Sequence, residues 1–228
     1  MPILSDLLSR FVWLAALPAG IGVMVTATLL VVSRDWRLNV FALAVQYLFV
    51  TLLMTQIVRV EMAAVKGLIG WVTCVVFYLT EQQAHTVAKS AAEAKVTVGN
   101  WFAARMAGWR REGISAQAAF SFMAVTVVAV SVYAAAAALP LPELSEGLTL
   151  ICYLLVGLGV LLLGLSRDPL RTGVGMLMIL SGFDLFYVAL EPSLVVTGLL
   201  GSISFVIALG TAFLKAAETV SGEQERVE

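Results

Sequence analysis

Residues 147–165 read GLTLICYLLVGLGVLLLGL, a run of nineteen residues without a charged side chain. A helix needs about 20 mainly apolar residues to cross a bilayer, because lipid cannot satisfy exposed backbone polar groups. The rest of the chain has the same character, since 61% of its 228 residues are hydrophobic and only 13% are charged. Soluble domains are roughly 45–50% apolar and about 25% charged. The sequence therefore predicts an all-α polytopic membrane protein.

Six further apolar runs are long enough to cross a membrane, which gives seven predicted transmembrane helices. Their predicted bounds are 11–33, 38–58, 62–79, 116–139, 147–165, 172–190 and 193–214. The first run continues past the length of a signal peptide's apolar region, so we interpret it as a membrane-spanning helix.

The distribution of positive charge predicts the orientation. With seven spans, eleven of the 14 Lys and Arg residues fall on the side that carries the C-terminus, and only Arg10 and Arg59 fall on the other. The positive-inside rule then places the N-terminus outside and the C-terminus in the cytoplasm of a cell inner (cytoplasmic) membrane. Four arginines mark the predicted cytoplasmic mouths of the second and sixth spans: Arg34, Arg37, Arg167 and Arg171.

Two short motifs indicate an internal repeat. Ser-Arg-Asp at 33–35 recurs at 166–168, and Lys-Gly-Leu-Ile-Gly at 66–70 is echoed by Thr-Gly-Leu-Leu-Gly at 197–201. We therefore predict two parallel three-helix units, 1–81 and 140–216, joined by a linking transmembrane helix at 116–139. Small residues let helices approach closely in lipid, which makes Gly67, Gly70, Gly198 and Gly201 candidate packing positions. Chance identity in apolar sequence is the alternative explanation of the repeat.

The longest polar interval, 82–115, has apolar and aromatic residues at three- and four-residue spacing with basic residues between them. This pattern predicts an amphipathic cytoplasmic connector. It could lie on the anionic inner leaflet, anchored by Trp101 and Trp109, or dock on a neighbouring subunit. Residues 217–228 are expected to form a cytoplasmic tail, whose acidic end, 221–228, is predicted to be disordered.

Two ionisable residues fall inside predicted spans, where a charge costs about 2.5–3.5 kcal/mol on insertion scales. Lys66 lies about 6 Å below the outer face and Asp184 about 9 Å below the same face, at 1.5 Å per residue. Lys66 could extend its long side chain to the surface, or the two residues could form an intramembrane ion pair. Gln46 is a third polar candidate, either for a proton path or for hydrogen bonding between helices.

Residues 167–171, Arg-Asp-Pro-Leu-Arg, followed by Gly175 and by Gly-Phe-Asp-Leu at 182–185, resemble the NuoK-like and MrpC-like membrane subunits, and more closely the HyfE-type subunit of group 4 membrane hydrogenases. The resemblance implies a non-catalytic membrane subunit of a complex I-like or hydrogenase-like assembly that contributes helices and part of a proton route. The family's membrane-embedded glutamates would fall at Leu177 or Leu180, neither of which is acidic. Asp184, two turns beyond Leu177 and one beyond Leu180, could act from the same helix face.

The alternative function is a stand-alone SWEET-like small-solute carrier, which has the same plan of three, one and three helices. Neither hypothesis requires a catalytic residue, a cofactor or a metal in this chain, and the spacing of Cys74, Cys152 and His85 fits no metal site. The expected partners are lipid, other membrane subunits of a larger complex, and peripheral cytoplasmic subunits bound through 82–114. A net charge of −1 gives no reason to expect nucleic acid.

Overall fold

All regular structure in the described part of the chain is helical. The structure is a computed structural model that describes residues 18–33, 35–93, 116–141 and 144–224. These residues form seven helices: α1 Pro18–Val32, α2 Trp36–Met54, α3 Val60–Glu93, α4 Ala116–Ala138, α5 Glu146–Leu165, α6 Pro169–Leu190 and α7 Leu194–Gln224. By length and composition, α2 to α7 can each cross a membrane, so the chain is a multi-pass membrane protein.

The described part of α1 has 15 residues and is shorter than the other six helices. The predicted first span begins at residue 11, and its residues 11–17 lie outside the described ranges. Most of the amphipathic connector, residues 94–115, and the extreme C-terminus, 225–228, also lie outside them.

Two helices are longer than their apolar runs. α3 continues through Glu93, although its predicted span ends at residue 79, and α7 continues through Gln224 into the predicted tail. The connector that is predicted from residue 82 is therefore helical and continuous with α3 up to Glu93, and the tail that is predicted to be disordered from 221 is helical up to Gln224. The physical reason is that polar residues such as Glu81, Gln82 and Gln83 end an apolar run but are good helix formers.

Contacts between helices define the order of packing. α6 packs between α5 and α7, α7 also packs on α3, and α3 packs on α2, which in turn touches α6. α4 packs on α5 and leaves Phe120, Phe122 and Tyr133 exposed. An exposed apolar face of this kind is what a helix presents to lipid.

Contacts between helix termini define the two ends of the bundle. Arg171 reaches the last turn of α1, and Lys215 near the end of α7 contacts Asp168 just before α6. We name this the Asp168 end. The opposite end, where α6 stops and α7 begins, is the Glu191 end.

The buried apolar residues form two clusters, one toward each end. The first includes Leu43, Phe77, Leu177 and Met178, and the second includes Met54, Leu155, Leu185 and Val188. Asp184 therefore lies on α6 between residues of the two clusters.

Candidate functional site: a buried ion pair

Lys66 of α3 and Asp184 of α6 form an ion pair between Nζ and Oδ2, and each side chain is only 2% exposed. Each residue lies six positions from the end of its helix at the Glu191 end, about 9 Å along the axis. The structure thus brings together the two residues that the sequence singles out. Lys66 points inward to a carboxylate and does not extend its side chain to the surface.

A third helix completes the surroundings of this pair. Lys66 Nζ donates to Ser204 Oγ of α7 at 3.5 Å, and Ser204 itself donates to Leu200 O within its own helix. Opposite charges that neutralise each other, with a hydroxyl beside the ammonium group, reduce the cost of burying either charge alone. The pair therefore connects α3, α6 and α7.

Tyr47 of α2 lies on the Asp168 side of the pair. Its ring packs against the backbone at Gly70, and its buried hydroxyl makes no hydrogen bond with the described residues. Ser181 is one turn before Asp184 on α6 and donates to Leu177 O at 2.7 Å. The site therefore includes polar groups from four helices.

α7 carries buried hydroxyls at an interval of seven residues: Thr197, Ser204 and Thr211. Each donates to a carbonyl of its own helix, namely Ser193 O, Leu200 O and Ile207 O. Internal hydrogen bonds of this kind let polar side chains lie inside a helix bundle at low cost. This side of α7 offers oxygen acceptors along the interface that it shares with α3 and α6.

A second charged cluster lies at the Asp168 end of the same three helices. Lys215 of α7 pairs with Asp168 and, at 3.6 Å, with Glu218. Glu81 of α3 is buried and interacts electrostatically with Lys215. This cluster was not predicted from the sequence, although Asp168 immediately before α6 and Lys215 just after the last apolar run were its visible signals.

The remaining predicted residues are placed separately. Gln46 is 2% exposed, and its Oε1 accepts no hydrogen bond from the described residues. Arg37 is exposed and lies 5.2 Å from the centre of the Trp36 ring, and Arg167 is exposed. Arg171 donates to Val31 O at 3.0 Å and Leu30 O at 3.4 Å, so it caps the end of α1. Arg34 lies outside the described residues.

Three of the four predicted packing glycines lie against a neighbouring helix. A Cβ atom would come within 2.9 Å of Thr51 Oγ1 at Gly67, within 2.4 Å of Tyr47 Cδ1 at Gly70, and within 2.4 Å of Ile69 Cδ1 at Gly201. A Cβ at Gly198 would meet nothing within 4 Å. Gly198 therefore packs against no helix among the described residues, and its role in packing stays a prediction.

Two cavities lie near these residues. One, of about 60 Å³, is at the Asp168 end and is lined by Asn39, Phe77, Glu81, Asp168 and Arg171 among others. The other is a groove of about 570 Å³ between α2 and α3, with the exposed Phe41 and Trp71 on its walls. The small cavity has both charged and apolar residues on its walls, whereas the walls of the groove are mainly apolar.

The fold and this site define a multi-pass helical membrane protein that holds an ion pair inside its transmembrane bundle. Comparisons with protein-family models, with curated proteins and with solved structures find no match to this chain. Among the described residues, no group of His, Cys, Asp or Glu side chains could hold a metal ion.

Proposed function

We propose that this chain is a non-catalytic integral membrane subunit of a complex I-like or hydrogenase-like energy-converting complex. In this role it contributes transmembrane helices and a charged pair that takes part in proton translocation. The single observation that carries the proposal is the buried contact between Lys66 and Asp184.

A buried charged pair needs a functional reason because it is a poor way to stabilise a bundle. Apolar residues of similar volume at the same positions would be as stable or more so. Ionisable residues within transmembrane segments typically mark ion pathways or proton relays. Asp184 can accept a proton and Lys66 can release one, so the pair can pass protons without redox chemistry in this chain.

The helix extensions support a role within an assembly. α3 and α7 pack on each other and continue beyond their apolar segments, to Glu93 and Gln224 respectively. If the C-terminus is cytoplasmic, as the positive charges predict, both extensions face the cytoplasm of the inner membrane. Together with the connector at 94–114, they would offer a polar surface to a peripheral subunit.

The first test is gentle purification of the chain from native membranes through a tag, followed by identification of the chains that accompany it. We expect stoichiometric membrane and peripheral partners, some carrying redox cofactors. A chain that is stable alone and that transports solute in liposomes would instead support the SWEET-like carrier.

The second test concerns protons in the purified complex. Asp184→Asn should reduce proton translocation while the partners still co-purify, because it removes a titratable group from the interior of the bundle. Asp35→Asn, at an exposed position, is the matched control and should leave translocation unchanged. Full translocation by the Asp184→Asn complex would remove the pair from the proton route.

A further inference from the structure

We infer that buried water connects the Asp168 end of the bundle to the Lys66–Asp184 pair, so that the pair exchanges protons with one side of the membrane only. This inference deepens the proposed function by naming the side and the residues of access. Hydration can be measured in the isolated chain, so it can fail independently of whether the chain joins a complex.

The route begins at the small cavity of the Asp168 end. Its volume of about 60 Å³ is enough for water, which needs roughly 10–15 Å³ of such space and two to four polar partners. Glu81 and Asp168 supply carboxylates, Arg171 supplies a guanidinium group, and Asn39 supplies an amide. A cavity with these walls is suited to hold water.

From this cavity the route follows α2 inward. Asn39 lines the cavity, and Gln46 lies seven residues further, on the same face of the helix and about 10.5 Å deeper. Asn39 is 7% exposed and Gln46 is 2% exposed. Neither Asn39 Oδ1 nor Gln46 Oε1 accepts a hydrogen bond from the described residues. Buried amide oxygens are almost always hydrogen-bonded, and we assign water as the donor to both.

The route ends at the pair through Tyr47 and Ser181. Tyr47 follows Gln46 in sequence, and its buried hydroxyl also makes no hydrogen bond with the described residues. Ser181 lies one turn before Asp184 on α6. Polar atoms therefore occur at the cavity and again from Gln46 to the carboxylate, and water would have to bridge the interval of about 10.5 Å between Asn39 and Gln46.

The opposite side of the pair is mainly apolar. Between it and the Glu191 end lie Leu53, Met54, Ala63, Leu185 and Val188, all buried in one cluster. The exceptions are Thr197, whose hydroxyl donates to Ser193 O, and Thr149, three residues into α5, whose Oγ1 lacks a partner among the described residues. Thr149 thus offers a direct comparison between the two sides.

The test is the reactivity of single cysteines with a small hydrophilic thiol reagent, in proteoliposomes of the chain with Cys74→Ala and Cys152→Ala. The probes are Asn39→Cys, Gln46→Cys and Ser181→Cys on the proposed route, and Thr149→Cys on the opposite side. Leu155→Cys, at a position that is 0% exposed in the apolar cluster, is the matched control. Arg167→Cys and Glu191→Cys, both exposed, report which face the reagent reaches.

We expect the three route cysteines to react from the Asp168 end at least about tenfold faster than Leu155→Cys, because thiol reactivity follows access to water. Thr149→Cys should react as slowly as Leu155→Cys. Gln46→Cys and Ser181→Cys that react no faster than the control, or that react first from the Glu191 end, would overturn the inference.

A measurement on the unsubstituted protein guards against misfolded variants. Tyr47 and Met54 are 2% and 1% exposed, and both side-chain types react rapidly with hydroxyl radicals formed from water. In hydroxyl-radical footprinting, Tyr47 should be oxidised faster than Met54, since only Tyr47 lies on the route. Equal or faster oxidation of Met54 would contradict one-sided hydration.

Discussion

At the scale of single residues, Lys66 and Asp184 stabilise each other, because both charges are buried inside the helix bundle. Both side chains are 2% exposed, and Ser204 is the only further hydrogen-bond partner recorded for Lys66 among the described residues. Removing one partner of a buried pair leaves the other charge buried without a counter-charge, whereas removing both partners can leave the stability nearly unchanged. The pair therefore contributes to stability through the interaction between its two side chains, and not through either side chain alone.

We predict that Lys66→Met and Asp184→Asn each destabilise the protein by about 3–5 kcal/mol. The double variant should lose much less stability than the sum of the two single losses. Denaturation of the purified chain in detergent micelles measures the three values. Strictly additive losses would show that the two side chains do not interact.

Lys215→Met is the natural control for that experiment. Its ion pair with Asp168 is partly exposed, at 20% and 33%, and exposed pairs contribute at most about 1 kcal/mol. We expect a small loss that shrinks further in high salt. If Lys215→Met lost as much stability as Lys66→Met, the Lys215–Asp168 pair would be no better solvated than the Lys66–Asp184 pair.

At the scale of the helices, backbone contact between α5 and α6 depends on glycine. A Cβ at Gly159 would lie 2.9 Å from Gly175 O and 3.0 Å from Ile179 N, and one at Gly182 would lie 2.9 Å from Cys152 O. Backbone atoms cannot move aside as a flexible side chain can. These positions therefore set the distance between the two helices.

We predict that Gly159→Ala destabilises the bundle by about 1–3 kcal/mol, because the added methyl group forces α5 and α6 apart. Gly164→Ala, in the same helix but with nothing within 4 Å of its added Cβ, should be neutral or stabilising by up to about 1 kcal/mol. Unfolding in micelles compares the two variants. Equal effects would show that helix propensity, and not packing, governs these positions.

The sequence predicts where the chain is apolar better than where its helices end. Hydropathy locates α2 to α7 because lipid requires long apolar runs, but it does not register that α3 continues through polar residues to Glu93. The depth of Lys66 and Asp184 could be counted along the chain, so their pairing could be proposed. Hydropathy does not reveal how each helix is rotated about its axis. The direction that Gly198 faces and the contact between Lys215 and Asp168 depend on that rotation, so neither could be predicted.

At the scale of the whole molecule, the duplication stays a prediction from the sequence. An axis along the membrane normal would exchange α2 with α6 and α3 with α7, and each of these pairs is in contact. The repeat would place Thr197 at the position equivalent to Lys66, and Thr51 at that of Asp184. If the halves arose by duplication, the positions equivalent to the charged pair are therefore uncharged, and the pair is not repeated by the symmetry.

The loops at the Asp168 end and at the Glu191 end are predicted to lie on opposite sides of the membrane. Asp35 and Arg167 are exposed in loops at the Asp168 end, and Arg59 and Glu191 are exposed in loops at the Glu191 end. In a chain with Cys74→Ala and Cys152→Ala, cysteines at the first two positions should be labelled only from the cytoplasm, because the positive charge lies there. Cysteines at the other two should be labelled only from outside, by an impermeant reagent on intact cells. Labelling of Asp35→Cys and Arg167→Cys from opposite sides would mean that an odd number of crossings separates residue 35 from residue 167, and not the four crossings of α2 to α5. The seven-span arrangement, the parallel repeat and one-sided access to Asp184 would then all have to be abandoned.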